Sequence, residues 1–120
     1  MVVYISGKIT GEFDYLKKFN EAEEKLKKLG HIALNPNIIP LGLSYEAYMI
    51  IDLAMVEAAD AILMLDGWKT SSGAKRELER AMALGKIIIE ERFINGSYEY
   101  VQLESPLPKR KRDFTEECYA

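Results

Sequence analysis

The chain is short of the residues from which disulfide frameworks and metal centres are made. One cysteine, Cys118, and one histidine, His31, stand among 120 residues. An internal disulfide is thereby excluded, a dedicated zinc site lacks its ligands, and a reducing, cytoplasmic setting is expected with no metal and no cofactor. Long apolar runs are missing too, and no basic segment precedes the first apolar stretch, so neither a membrane helix nor a signal peptide is expected. Positive charge is also scarce: 16 Lys and Arg against 19 Asp and Glu leave a net charge of -3. Without a broad basic surface a nucleic-acid polymer is not an expected partner, although a local site for a small anion remains open.

What is present is ordinary for a folded domain. The 48% hydrophobic and 29% charged content suits a chain that buries roughly two thirds of its unfolded surface. Apolar, β-branched runs at Val2–Ser6, His31–Asn35, Ala61–Leu65 and Lys86–Glu90 read as strands. Between them, amphipathic stretches read as helices from about Phe13 to Leu29, Tyr45 to Ala59 and Ala74 to Leu84. Gly30 and Gly85 are placed to end the first and third, and Ser44 to cap the second. Strands that alternate with helices predict a parallel sheet with right-handed crossovers. Tyr98–Leu103 adds a possible fifth, edge strand before Ser105-Pro106-Leu107-Pro108, which divides a domain at 1–104 from a tail at 105–120. The basic run Lys109–Arg112 in that tail reads as a solvated surface.

The most informative stretch is Leu65-Asp66-Gly67-Trp68-Lys69-Thr70-Ser71-Ser72-Gly73-Ala74-Lys75-Arg76-Glu77. It joins a strand to a helix start, and in open α/β sheets ligands sit beyond the carboxyl ends of the strands, where helix N-termini present unpaired N–H groups. Ser71, Ser72 and Gly73 offer hydroxyls and bare backbone there, a ready anion site. Lys75 and Arg76 occupy a turn where the helix dipole favours acids, which points to a bound anion or to two solvated side chains. Glu77, flanked four residues away by Gly73 and Ala81, is either a carboxylate exposed for use or a plain surface glutamate. Asp52 stands in an apolar helix segment and shares a face with Tyr48; burial would raise its pKa and suit a proton donor, whereas a water-facing aspartate would do nothing chemical. The apolar loop Pro36–Leu43 is a ligand lining or simple packing, and Trp68 either stacks on a base or covers the turn. His31, at the opposite sheet edge, has no expected role.

Two carboxylates beside an anion site suit cleavage at an anomeric carbon. The same residues resemble a known family. Tyr4-Ile5-Ser6-Gly7-Lys8-Ile9-Thr10-Gly11, Asp52-Leu53 with Ala59-Asp60, and Ser71-Ser72-Gly73-Ala74-Lys75-Arg76-Glu77-Leu78 are together similar to the nucleoside 2-deoxyribosyltransferase superfamily, closest to its small DUF4406 branch, over about residues 2 to 90. The resemblance implies a flavodoxin-like (Rossmann-like) α/β three-layer sandwich with a parallel four- or five-stranded sheet, commonly a homo-oligomer, acting on a small nucleoside or nucleotide. It further implies Glu77 as the nucleophile at C1′, Asp52 near base and sugar, and Tyr4 positioning the glutamate. Ser6, Gly7 and Ile9 are expected to contact substrate along with Ser71, Ser72 and Gly73. A serine at position 71, where transferases of free nucleosides carry an aspartate, favours a 5′-monophosphate. The expected activity is N-glycosidic cleavage of 2′-deoxynucleoside 5′-monophosphates, the alternatives being deoxyribosyl transfer between bases or nucleotide binding without catalysis.

Overall fold

Side-chain alternation along the first strand decides which residues meet which layer of helices. In the computed structural model, which describes residues 1–103, β1 (Val2–Ser6) lies between β2 (Ile32–Leu34) and β3 (Ala61–Met64). The elements α1 (Tyr15–Lys28), α2 (Tyr45–Ala58), α3 (Ser72–Ala83), β4 (Ile87–Ile94) and β5 (Ser97–Leu103) complete it, with strand order β2-β1-β3-β4-β5. Val3 and Ile5 of β1 face α1, where Phe19, Ala22 and Leu26 pack on Ala61, Leu63 and Ile89. Tyr4 faces the other way, into the layer of Val56 from α2 and Ala74 and Ala81 from α3, over Ile62, Met64 and Ile88. The result is a three-layer α/β sandwich with the flavodoxin-like order, whose crevice opens at the carboxyl ends of β1 and β3.

Two helices start where serines stop the preceding loops. Ser44 Oγ accepts the Ala47 N–H and Ser71 Oγ accepts the Ala74 N–H, both at 3.1 Å, each satisfying one otherwise orphaned donor of a first turn. Helix α1 begins later than the sequence implied. Phe13, expected on its apolar face, precedes the helix and is 98% exposed, and Leu16 and Leu29 are exposed as well. Phe13 lies in the loop before the helix and Leu16 turns to a cavity, while Phe19, Ala22 and Leu26 carry the buried face with Tyr15 packed beside them.

The far edge differs more. Strands β1 to β4 are parallel, but β4 runs on past Glu90 to Ile94 and folds back as an antiparallel β5. The expected parallel sheet is present over β1 to β4, and the fifth, edge strand joins it antiparallel. Asn95 and Gly96, with φ of 51° and 87°, form the two-residue turn, and Asn-Gly is the pair best able to hold two positive φ values without strain. Among the described residues no helix is long and apolar enough to cross a membrane. The tail at 105–120, with Lys109–Arg112 and Cys118, lies outside the described residues.

Candidate active site

Tyr4 and Ser6 are two apart on β1 and therefore point into the same layer. Facing them is α3, whose buried stripe is Ala74, Glu77 and Ala81. The alanines let the helix lie close to the sheet, and Glu77 on its second turn reaches the strand. The Tyr4 hydroxyl donates to Glu77 Oε2 at 3.0 Å and the Ser6 hydroxyl donates to Oε1 at 2.6 Å. Each carboxylate oxygen thus has its own donor, both from one strand. Contrary to the expectation of an exposed carboxylate, Glu77 is only 5% exposed.

Asp52 comes to the same place from α2, in a buried stripe with Met49 and Val56. It is 7% exposed, and its Oδ1 is buried without a hydrogen-bond partner. Such an atom normally costs about 1–3 kcal/mol, and a carboxyl can lower that cost by keeping its proton. Burial accordingly raises the Asp52 pKa, with Glu77 and Tyr4 alongside drawing it back. Glu77 is pushed up to about 8, chiefly by burial; the Asp52 charge adds to the rise, and the Ser6 and Tyr4 hydroxyls oppose it. Burial, followed by the charges of Glu77 and Asp52, holds the Tyr4 phenol well above its ordinary value, so it remains a donor. Two neighbouring carboxyls of this kind titrate as one unit, and at neutral pH the pair holds one proton.

Asp52 borders a cavity of about 550 Å³ and is the only acid in its wall among the described residues. Ile9 and Thr10 after β1, Tyr15 and Leu16 of α1, the loop from Pro36 to Leu41, and Tyr45, Tyr48 and Met49 of α2 supply the rest. The wall is largely apolar and aromatic, and the size suits a nucleotide-scale ligand. Glu77 stands beside Asp52, nearer the sheet and outside the cavity wall itself. Tyr48 is held in place, donating its hydroxyl to the Pro40 carbonyl at 2.7 Å.

The remaining sequence candidates are distributed around this centre. Ile9 lines the cavity. Ser6 is fully buried and gives its hydroxyl to Glu77, leaving no surface for a substrate. Gly7 faces α1: a Cβ there would stand 3.1 Å from Leu65 Cβ and 3.3 Å from the Phe19 ring. Ser71 is the α3 cap, Ser72 is exposed, and a Cβ on Gly73 would lie 3.6 Å from Met49 Sδ and 3.9 Å from Tyr45 Cε1. The α3 N-terminus therefore adjoins the cavity rim. Arg76 has a partner that helix-only spacing could not reveal, since it pairs with Glu46 of α2 at 3.2 Å and lies over the Tyr45 ring. Trp68 packs over the turn and donates its Nε1–H to Glu90 at 2.9 Å. The aromatic wall residues Tyr15 and Tyr45 were not singled out in the sequence; an aromatic at a helix start on the ligand edge was the available signal. Among the described residues no group of three or more His, Cys, Asp and Glu side chains is arranged to hold a metal ion.

Comparison with known proteins follows the same lines. A family model described as a domain of unknown function, DUF4406, matches residues 1–90. No curated protein matches the chain in sequence. Among solved structures, the 2-deoxyribosyltransferase of Bacillus psychrosaccharolyticus is similar with a TM-score of 0.60 at 24% identity, over 75% of this chain and 71% of that one. The Clostridium botulinum CMP N-glycosidase BcmB is similar with a TM-score of 0.58 at 20% identity, over 75% and 70%. The 2-deoxyribosyltransferase of Leishmania mexicana reaches 0.62 at 20% identity, over 78% of this chain and 65% of its own. These likenesses establish a shared fold. With three quarters of its length matched by the family model, the chain belongs to the DUF4406 family.

Proposed function

We propose that the protein cleaves the N-glycosidic bond of 2′-deoxynucleoside 5′-monophosphates. The observation that carries this reading is the buried pair: Glu77, held at both oxygens by Tyr4 and Ser6, beside Asp52 with an unpartnered oxygen on a nucleotide-sized cavity. Burial rests the pair's single proton on Glu77 at neutral pH; the reactive form is the one with that proton passed to Asp52, towards which the two hydroxyl donors on Glu77 work. Glu77 attacks C1′, the bond from C1′ to the base nitrogen breaks, and Asp52 gives its proton to the departing base. Water then attacks C1′ of the glycosyl ester while Asp52 takes its proton. Glu77 leaves as the carboxylate, and 2-deoxyribose 5-phosphate is released. The apolar and aromatic wall receives the base, with Ile9 at its edge. Ser71, Ser72 and Gly73 at the α3 N-terminus take the phosphate.

Deoxyribosyl transfer is the second reading, favoured by the apolar wall, which would keep water from the intermediate until an acceptor base arrives. Incubating one deoxynucleotide with a second free base separates the two: sugar phosphate and the original base without a new nucleotide mean hydrolysis, and a new nucleotide means transfer. A nucleotide-binding protein without catalysis would be stabilised by these ligands and release no base from any of them. The single cysteine and nucleotide substrate suit a cytoplasmic enzyme. A homo-oligomer is supported by α2, which is apolar on its outer face as well as its inner one. Ile50 there is 71% exposed, and Leu41 in the loop before it 85%.

A further inference from the structure

Ser6 is the last residue of β1, paired in register with Met64 of β3, and it is 0% exposed. A serine hydroxyl sealed from water must find an acceptor, because leaving it unpaired costs free energy with nothing in return. It has taken Glu77 Oε1 at 2.6 Å, the shortest hydrogen bond in the site and one to an ionisable partner. The serine backbone is fully employed elsewhere, its carbonyl accepting the Leu65 N–H at 2.8 Å. Nothing remains of the residue for a substrate to touch.

We infer that Ser6 is a positioning residue, whose hydroxyl fixes the plane of the Glu77 carboxylate and favours its ionised form, the one that attacks. This rests on the glycosidase reading for its meaning in catalysis, but the hold on Glu77 is separate from any substrate. Tyr4 alone would leave the carboxylate free to swing about the single bond to Oε2. Two donors on one rigid strand, two residues apart, remove that freedom and leave the position of the sugar as the remaining variable. The titratable groups facing Glu77 are Tyr4 from β1 and Asp52 from α2, while β3 and β4 present Ile62, Met64 and Ile88 to the same layer. Deleting the Ser6 hydroxyl therefore leaves Oε1 without a donor in apolar surroundings, so Glu77 binds the pair's proton more tightly and the form with a free Glu77 carboxylate becomes rarer. A nucleophile that carries the proton cannot attack.

The test follows the Glu77 carboxyl directly, by ¹³C NMR of glutamate-labelled protein across pH, in wild type, Ser6→Ala and Ser6→Thr, together with steady-state base release. In Ser6→Ala the Glu77 midpoint should rise by about one pH unit, and kcat should fall about tenfold with KM within about twofold. Ser6→Thr, which retains a hydroxyl on a β-branched side chain suited to a strand, should restore both. An unchanged Glu77 titration in Ser6→Ala overturns the inference, as does a loss confined to KM or a threonine variant that behaves like alanine. If the wild type releases no base from any deoxynucleotide, the functional reading fails, while the titration still decides whether Ser6 governs Glu77.

Discussion

At the scale of single residues, Glu77 on the proposed reading governs both stability and chemistry. Its folded pKa of about 8 lies above the ordinary 4.5, so its contribution to stability is fully present below about pH 4.5 and is lost as pH rises through about 8. Wild-type protein should accordingly lose stability over that window, by up to about 5 kcal/mol, whereas Glu77→Gln should show a flatter profile in chemical denaturation at pH 5, 7 and 9. A variant as pH-sensitive as wild type would place the titration elsewhere. The pair also sets the rate profile. Because one proton shared between Glu77 and Asp52 is the working state, kcat/KM should be bell-shaped, falling near pH 8 as the last proton leaves and again at acid pH as a second binds. Asp52→Asn cannot protonate a departing base and should slow release by about 10²–10⁴-fold. The loss should be smaller for a nucleotide whose base leaves readily, and equal losses for good and poor leaving groups would deny Asp52 the acid role.

At the scale of elements, the two serine caps form a matched pair with different neighbours. Ser44→Ala should cost about 1 kcal/mol and leave kinetics unchanged. Ser71→Ala should cost about the same and in addition raise KM for the monophosphate, since the α3 N-terminus adjoins the cavity rim at Tyr45 and Met49. Equal kinetics in the two variants would leave Ser71 a cap and nothing more. These boundaries were readable in the sequence because caps and glycine stops are local chemistry: Ser44, Gly30 and Gly85 all stand at or beside helix ends. The turn signal at Asn95-Gly96 is equally local, but the parallel pattern preceding it gives no reason to expect β4 to fold back on itself.

At the scale of the whole molecule, the meeting of Tyr4 with Glu77, 73 residues apart, could not be derived from spacing, although the resemblance named both. The apolar 36–43 loop reads in sequence as either a lining or simple packing, and its residues Pro36 to Leu41 line the cavity; the cavity's volume and the burial of Glu77 are properties of packed layers. Ion pairs between neighbouring helices were equally invisible, as Arg76 with Glu46 illustrates. The exposed apolar face of α2 makes a prediction at this scale. Ile50→Lys should lower the mass measured by light scattering, and an unchanged mass would assign self-association to another surface. The measurement that bears most directly on the site is base release from a panel of 2′-deoxynucleoside 5′-monophosphates by wild type and by folded Glu77→Gln. Release by the wild type with a loss of about a thousandfold or more in the variant is the expected result, and undiminished turnover by Glu77→Gln would contradict the role given to that carboxylate.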